Sequence, residues 1–270
     1  MQQETLVSER RACFLVGLSR TVLHYESKAR IENERLQERI SKIAGERHRF
    51  GYRRIHALLR REGVTANHKR VFRLYQEAGL AVRRRRKRHG IAVEREHLAL
   101  PDQPNEVWSM DFVSDALSSG RRIRALTIVD DFTRESIDIV VDHSISGHYV
   151  TRVLDQAVRF RGRPTAIRTD QGPEFTGKAL DQWAYRNGHR TGQTDTECLY
   201  IESFNGKFRD ECLNEHWFTS LAAARVLISA WWRDCNEYRP HSALNYQTPA
   251  EFAARRRKSL HNDASQQEII

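Results

Sequence analysis

The sequence predicts a mixed α/β domain preceded by an all-α region. Three observations carry this. The apolar pattern changes from helical to alternating near Val107, and three strand-like stretches then run in succession before helix and strand begin to alternate. Upstream, short amphipathic segments with arginine faces are punctuated by caps and turn glycines, the grammar of helix-turn-helix units.

Taken in order, "SERRACFLVGLSRTVLHYE" (Ser8 to Glu26) places a serine cap before a short helix, breaks at Gly17 and restarts at Ser19. Residues 1–30 are therefore read as a partial helix-turn-helix. In residues 31–82, "FGYRRIHALLRREG" sets Ile55, Leu58 and Leu59 against arginines, and "NHKRVFRLYQEAGL" follows with Asn67 as its cap. Val71, Leu74 and Tyr75 should face inward and Lys69, Arg70 and Arg73 outward, a face suited to DNA or simply to solvent. The run "VRRRRKRHG" repels itself into an extended chain, and Pro101 and Pro104 deny helix, so residues 83–106 read as a basic linker. Then "EVWSMDFVSDA", "RIRALTIVDDFTRE" and "SIDIVVDHSIS" read as consecutive strands, followed by a helix (His148 to Phe160), a strand (Pro164 to Thr169) and a helix (Gly177 to Asn187). From about Tyr200 an amphipathic helix puts Phe204, Phe208 and Cys212 on one stripe. Residues 107–218 are assigned to this core, and 219–270 to a helical extension with a basic tail.

Bulk properties narrow the class. A chain of 270 residues with 39% apolar and 30% charged residues is globular and long enough for about two domains. It opens on polar MQQET, shows no secretory leader, and holds no apolar run near the roughly 18 residues of a membrane span, so a cytoplasmic protein off the membrane is expected. Cys13, Cys198, Cys212 and Cys235 form no CxxC pair, which argues for reduced, unligated thiols. The net charge of +10 and pI near 9.7 fit a polyanionic partner, although a basic surface alone names no reaction.

Three carboxylates stand out. Asp111 falls mid-strand in "WSMDFVS", where a charge is costly unless paired or bound to a cation. Asp170 closes a strand in "AIRTDQGPEF", where α/β sheets present functional groups, though "DQG" is also ordinary turn chemistry. Glu202 lies on the helix after Tyr200, away from the Phe204 and Phe208 stripe, and a glutamate so placed, taken alone, is more often a solvated surface residue. Together they are the hard oxygen ligands that magnesium prefers, in the two-ion arrangement that serves phosphodiester chemistry. Asp130, Asp131 and Asp142 compete for the same assignment.

"WSMDFVSD", "IRTDQGPEF", "YIESFNGKFRDECLNEHWF" and "YRPHSALNYQTPAEF" give the chain a resemblance to the second-frame (OrfB) transposases of the IS-three family of bacterial insertion sequences. The resemblance covers nearly the whole chain. It implies a ribonuclease-H-like integrase core, a mixed sheet flanked by helices, behind the helix-turn-helix region. It also implies a DDE triad of Asp111, Asp170 and Glu202 that is both catalytic and metal-binding, with two Mg2+ ions or Mn2+ in their place. Lys69, Arg70, Arg73, the run Arg83, Arg84, Arg85 and Arg86, and Lys207 and Arg209 are the expected DNA contacts. The implied partners are double-stranded DNA (terminal inverted repeats and target), a first-frame (OrfA) protein and further copies of the chain. The N-terminal HHCC zinc module of retroviral integrases has no counterpart here.

One stretch departs from the family. "RNGHRTGQTDTECLY" fits neither helix nor strand, and the 31 residues between Asp170 and Glu202 are a few short of the family's spacing. The family typically reads "LDFIQPGKPTQNAYIESFNG" here. Shifting the codons of "QPGKPTQNAYI" by one base permits every residue from Thr191 to Tyr200. A deletion in the gene after Arg190, with the frame regained near Tyr200, accounts for both features; ordinary loop divergence is the alternative. The expected cost is loss of the apolar strand beside the Asp170 strand, an exposed sheet edge and a poorly held Glu202. The reading is a DDE transposase performing Mg2+-dependent cleavage and strand transfer. The alternative is a catalytically decayed copy acting only as a DNA-binding protein. A ribonuclease H is disfavoured by the helix-turn-helix units.

Overall fold

The computed structural model describes residues 8–24, 28–80, 101–170, 172, 174–175, 177–187, 190–193 and 199–267. The chain divides into two compact units, Met1–Arg85 and Arg86–Ile270.

The described residues of the first unit form helices and the turns between them. α1 (Glu9–Val16) ends at Gly17, whose φ of 71° is the left-handed conformation that glycine accepts freely. α2 (Arg20–Leu23) starts at Ser19, whose hydroxyl accepts the Val22 N–H. Ser8, expected as a side-chain cap, makes no such bond; its carbonyl receives the Arg11 and Ala12 N–H groups instead. α3 (Lys28–Glu46), α4 (Tyr52–Arg61) and α5 (His68–Glu77) close around Ile40, Ile55, Leu59, Val71 and Leu74, all buried. Asn67 caps α5 as its sequence position predicts, accepting the Lys69 N–H at 2.9 Å.

The second unit is built on a five-stranded sheet of order β3-β2-β1-β4-β5. β1 (Val107–Ala116), β2 (Arg122–Asp130) and β3 (Ser136–Asp142) form an antiparallel meander, and β4 (Ala166–Thr169) and β5 (Arg190–Gln193) add in parallel. α6 (Gly147–Arg161) and α7 (Lys178–Asn187) cover one face over Trp108, Met110, Leu126 and Ile128. α8 (Leu199–Glu211) and α9 (Leu221–Glu237) cover the other over Val113, Ala125, Val129 and Val141, and α10 (Pro249–Gln267) follows. Residues of opposite parity thus feed opposite cores, as the pleat requires. No helix among the described residues is long and apolar enough to cross a membrane.

Three expectations are corrected. The strand expected to be lost is present: Arg190–Gln193 pairs with β4 through the register Ala166↔Arg190 to Thr169↔Gln193. A ladder is made by backbone groups, so a polar "RTGQ" can extend a sheet that an apolar strand would extend more stably. Residues 101–106, expected as linker, are fastened to the core: the Asn105 N–H donates to Asp130 Oδ2 at 2.7 Å and its Nδ2 to the Arg161 carbonyl at 2.7 Å. The segment from residue 219, expected as an extension, shares a core with α8, because Ile228, Trp231 and Cys235 pack with Phe204 and Phe208.

Candidate active site

Asp111 sits mid-way along β1, hydrogen-bonded into the sheet between β2 and β4, and is half-buried. Its carboxylate accepts the Phe112 N–H at 2.6 Å and the Asn205 Nδ2 at 2.7 Å. Asn205 is held in turn, since the Thr127 hydroxyl donates to its Oδ1 at 2.9 Å. Thr127 lies directly opposite Asp111 in the β1–β2 register. Burial pushes the Asp111 carboxyl above the usual range; the Phe112 and Asn205 donors pull it down, and the nearby charge of Asp170 raises it further.

Asp170 follows the last residue of β4 and is exposed. The Gly172 N–H donates to its Oδ1 at 3.1 Å. A Cβ at Gly172 would come within 3.1 Å of that same oxygen and 3.6 Å of Glu174 Oε2, so the turn accepts glycine best. Glu174 pairs with Arg124, which holds its carboxyl below the usual range. The Arg124 guanidinium lies 4.1 Å over the Phe112 ring, and that ring stacks on Phe175 at 4.9 Å.

Glu202 is exposed in the first turn of α8, three residues before Asn205 and hence on the same side of the helix. The structure brings Asp111 and Asp170 together. Among the described residues, however, no group of three His, Cys, Asp or Glu side chains is close enough to share one ion. The competing aspartates serve the fold. Asp130 accepts the Asn105, Phe132 and Thr133 N–H groups, and Asp142 pairs with Arg225 at 2.8 Å. Asp131 is fully buried against the Ser109 hydroxyl and Arg168.

The expected DNA contacts are placed unevenly. Lys69 and Arg73 are exposed on α5, the latter 3.5 Å from Glu77. Arg70 corrects the expectation of an outward side chain: its Nε donates to Asn33 Oδ1 at 2.7 Å and its Nη2 lies 3.4 Å from Glu32, tying α5 to α3. Arg209 is exposed and reaches the Ser114 carbonyl at 3.4 Å, and Lys207 is half-buried. Arg83, Arg84, Arg85 and Arg86 lie outside the described residues. Sequence reasoning gave no role to Asn205, Thr127 and the Arg124–Glu174 pair; the helical spacing of Asn205 from Glu202 was the available signal.

The integrase core domain family matches residues 101–195 and again 190–249, and an HTH-like domain family matches residues 31–88. The chain is 64% identical to an uncharacterised 31.7 kDa protein of insertion element IS407 from Burkholderia multivorans, covering 100% of this chain and 99% of that one. The chain belongs to the insertion-element transposases with an integrase core. It is also 53% identical to a 39.2 kDa protein of insertion element IS476 from Xanthomonas euvesicatoria (98% of this chain, 78% of that one). It is 26% identical to the putative transposase InsK of IS150 from Escherichia coli (87% and 89%). Among solved structures, the HTLV-2 integrase catalytic core aligns with a TM-score of 0.48 at 16% identity, over 56% of this chain and 98% of that one. The family consists of polynucleotidyl transferases on a ribonuclease-H-like core, and the sheet order and helical layers described above are that fold.

Proposed function

We propose that this transposase acts on the terminal repeats of its own element through Asp111 and Asp170, with Glu202 as the third carboxylate. The observation that carries the reading is the Asn205 bridge: the helix that bears Glu202 also fixes Asp111, so one element sets the geometry of both. The raised Asp111 carboxyl beside Asp170 is the donor chemistry a divalent cation satisfies, so these two residues fit Mg2+ and would hold it. Bound Mg2+ would supply positive charge that favours deprotonation of an attacking water and stabilises the leaving oxygen. The chain's own residues orient that chemistry. Asn205 and Thr127 fix the rotation of Asp111, Gly172 fixes one oxygen of Asp170, and Arg209 and Lys207 offer charge to the DNA backbone. Lys69 and Arg73 on α5 and the basic run at 83–86 would dock the repeats, with copies of the chain and a first-frame partner completing the assembly in the cytoplasm.

A second reading has an observation of its own. Glu202 is not gathered with the two aspartates, and the connection before it is short; the alignment with the IS407 protein spans 275 residues, longer than this chain's 270. A shortened copy that binds DNA without cutting it follows from that. The deciding experiment incubates the full chain with labelled terminal-repeat duplex and Mg2+, following retention on DNA and strand transfer separately. Retention with no product supports the decayed copy, strand transfer supports the active enzyme, and neither retention nor product refutes both.

A further inference from the structure

On the α8 face of the sheet lies a partly enclosed cavity of about 260 Å³ that the carboxylate site does not use. Its polar lining is Arg134, Tyr200, Ser203, Lys207 and His241, over an apolar floor of Val129 and Phe204. Three of the five polar groups are basic or can become so, and no carboxylate is among the described residues that line it. Arg134 is its distinguishing member. It sits in the β2–β3 turn at φ 61°, a left-handed conformation that a residue with a side chain adopts at a cost and glycine adopts freely. The turn is closed around it by Arg134 N–H to the Asp130 carbonyl and Asp130 N–H to the Glu135 carbonyl. Its guanidinium carbon stands 3.2 Å above the Tyr200 ring, which fixes the group from one side. Its Nη1 is buried and makes no hydrogen bond to protein. A buried guanidinium N–H without an acceptor is costly, and because the same guanidinium belongs to a residue lining the cavity, an anion there would lower the cost of burying its charge.

Asp131, whose field Arg134 feels, accepts from Ser109 and Arg168 through Oδ2, and its buried Oδ1 makes no hydrogen bond, so it balances part of the Arg134 charge from the side away from the cavity lining. The cavity also lies close to the carboxylates. Val129 is two residues beyond Thr127 on the same face of β2, roughly 7 Å along the strand, and Thr127 touches the asparagine that holds Asp111.

We propose that this cavity is a phosphate-binding pocket, with Arg134 as its principal donor and Lys207, Ser203 and His241 around it, and that it grips a backbone phosphate of the DNA strand lying across α8. The DNA source rests on the function proposed above; the phosphate chemistry does not. The pocket gives the β2–β3 turn a part in positioning the strand, so that Tyr200 and Arg134 register it against the carboxylates one helical turn away.

Two measurements on the full chain test this. First, inorganic phosphate should raise the melting temperature of the wild type but not of Arg134→Gln. Second, the slope of log affinity for terminal-repeat duplex against log salt should be shallower by about 0.9 in Arg134→Gln, the loss of one phosphate contact. Ser203→Asp, which adds a carboxylate at an exposed helix position without touching the turn, should reproduce both effects and guards against misfolding of the first variant. A phosphate response with an unchanged salt slope assigns the pocket to free phosphate and removes DNA as its occupant. If neither variant differs from wild type in either measurement, the pocket is refuted. A wild type that responds to phosphate but binds no DNA refutes the proposed function while leaving the pocket standing.

Discussion

The two edges of the sheet are held in different ways. At the β3 edge, α9 seals the backbone with side chains: Asn236 accepts the Ser136 N–H at 2.9 Å and returns its Nδ2 to the Ser136 carbonyl at 2.8 Å. Trp232 Nε1 donates to that same carbonyl at 2.8 Å, and Arg225 Nε to the Val141 carbonyl at 3.0 Å. At the opposite edge stands β5, four residues of "RTGQ" attached to β4 by its ladder. Asp111 and Asp170 belong to β1 and the end of β4, whereas Glu202 follows the weak edge. Asp111 is therefore set by the long ladder of β1 with β2, and Asp170 by the short ladder of β4 with β1 and the apolar core beneath it. Glu202 is carried by α8, which is gripped from below through Phe204 and Phe208.

That contrast can be broken most directly at Phe208, which is fully buried on α8 and packs 5.1 Å from the Trp231 ring. Phe208→Ala should lower the unfolding free energy by about 3–5 kcal/mol, read by urea denaturation. A loss below about 1 kcal/mol would show that α8 is anchored elsewhere.

The turn that follows β2 carries a second large effect, visible through pH. Burial pushes the Asp131 carboxyl up from 3.8 to about 6, against the pull of Ser109 and Arg168. Its folded value therefore exceeds its unfolded one. The stability it contributes is complete below about pH 4 and is lost as pH rises towards 6, a decline of roughly 3 kcal/mol. Asp131→Asn should lack that decline, and equal slopes for wild type and variant over this range would contradict the assignment.

Next in size is the repair of the weak edge. Replacing Thr191 to Tyr200 with the family-like "LDFIQPGKPTQNAY" restores both an apolar strand and the length of the connection. A misplacement of about 1 Å costs on the order of a hundredfold in rate, so strand transfer should rise by at least that factor. Since β5 already forms, the gain would come from the connection and the side chains beneath it more than from new ladder bonds. An unrepaired chain as fast as the repaired one would remove the distinction between the edges as far as catalysis is concerned.

At the sealed edge, Asn236→Leu leaves the Ser136 N–H buried without its acceptor, while Trp232 continues to serve the carbonyl. About 2 kcal/mol should be lost, by thermal or chemical denaturation. No loss would mean that the seal is redundant.

Much of the core was legible because its signals are local. Alternation marked β1, β2 and β3, the helical stripe of Phe204, Phe208 and Cys212 marked α8, and Asn67 marked the start of α5. What escaped depends on partners distant in sequence. β5 has no apolar pattern and is a strand only because β4 offers it a ladder. Arg70 looked outward by periodicity, yet α3 supplies Asn33 to turn it inward. Asn205 reads as an unremarkable helix residue until β1 and β2 bring Asp111 and Thr127 beneath it, a pairing across 94 residues that no local pattern encodes. The competing aspartates were separable only by their partners.

The smallest change in stability is expected at Asp111 itself, where it is the most informative. In Asp111→Asn two effects oppose each other. Removing the charge relieves the burial cost and the repulsion from Asp170 that together hold the carboxyl high. In the native protein that relief comes only as pH falls and the group takes up its proton, so wild-type stability drops as pH rises through the raised value. Against this, the amide brings an N–H donor to a side chain whose two oxygens both accept, from Phe112 and Asn205, so one of those bonds is weakened. In metal-free buffer the net change should stay below about 1 kcal/mol. With Mg2+ added the two proteins should part: the wild type gains in melting temperature by mass action, the variant does not, and both still bind DNA through the first unit. A variant that Mg2+ stabilises as strongly as the wild type would take Asp111 out of the metal site, and the central ladder would then hold an aspartate with no catalytic purpose.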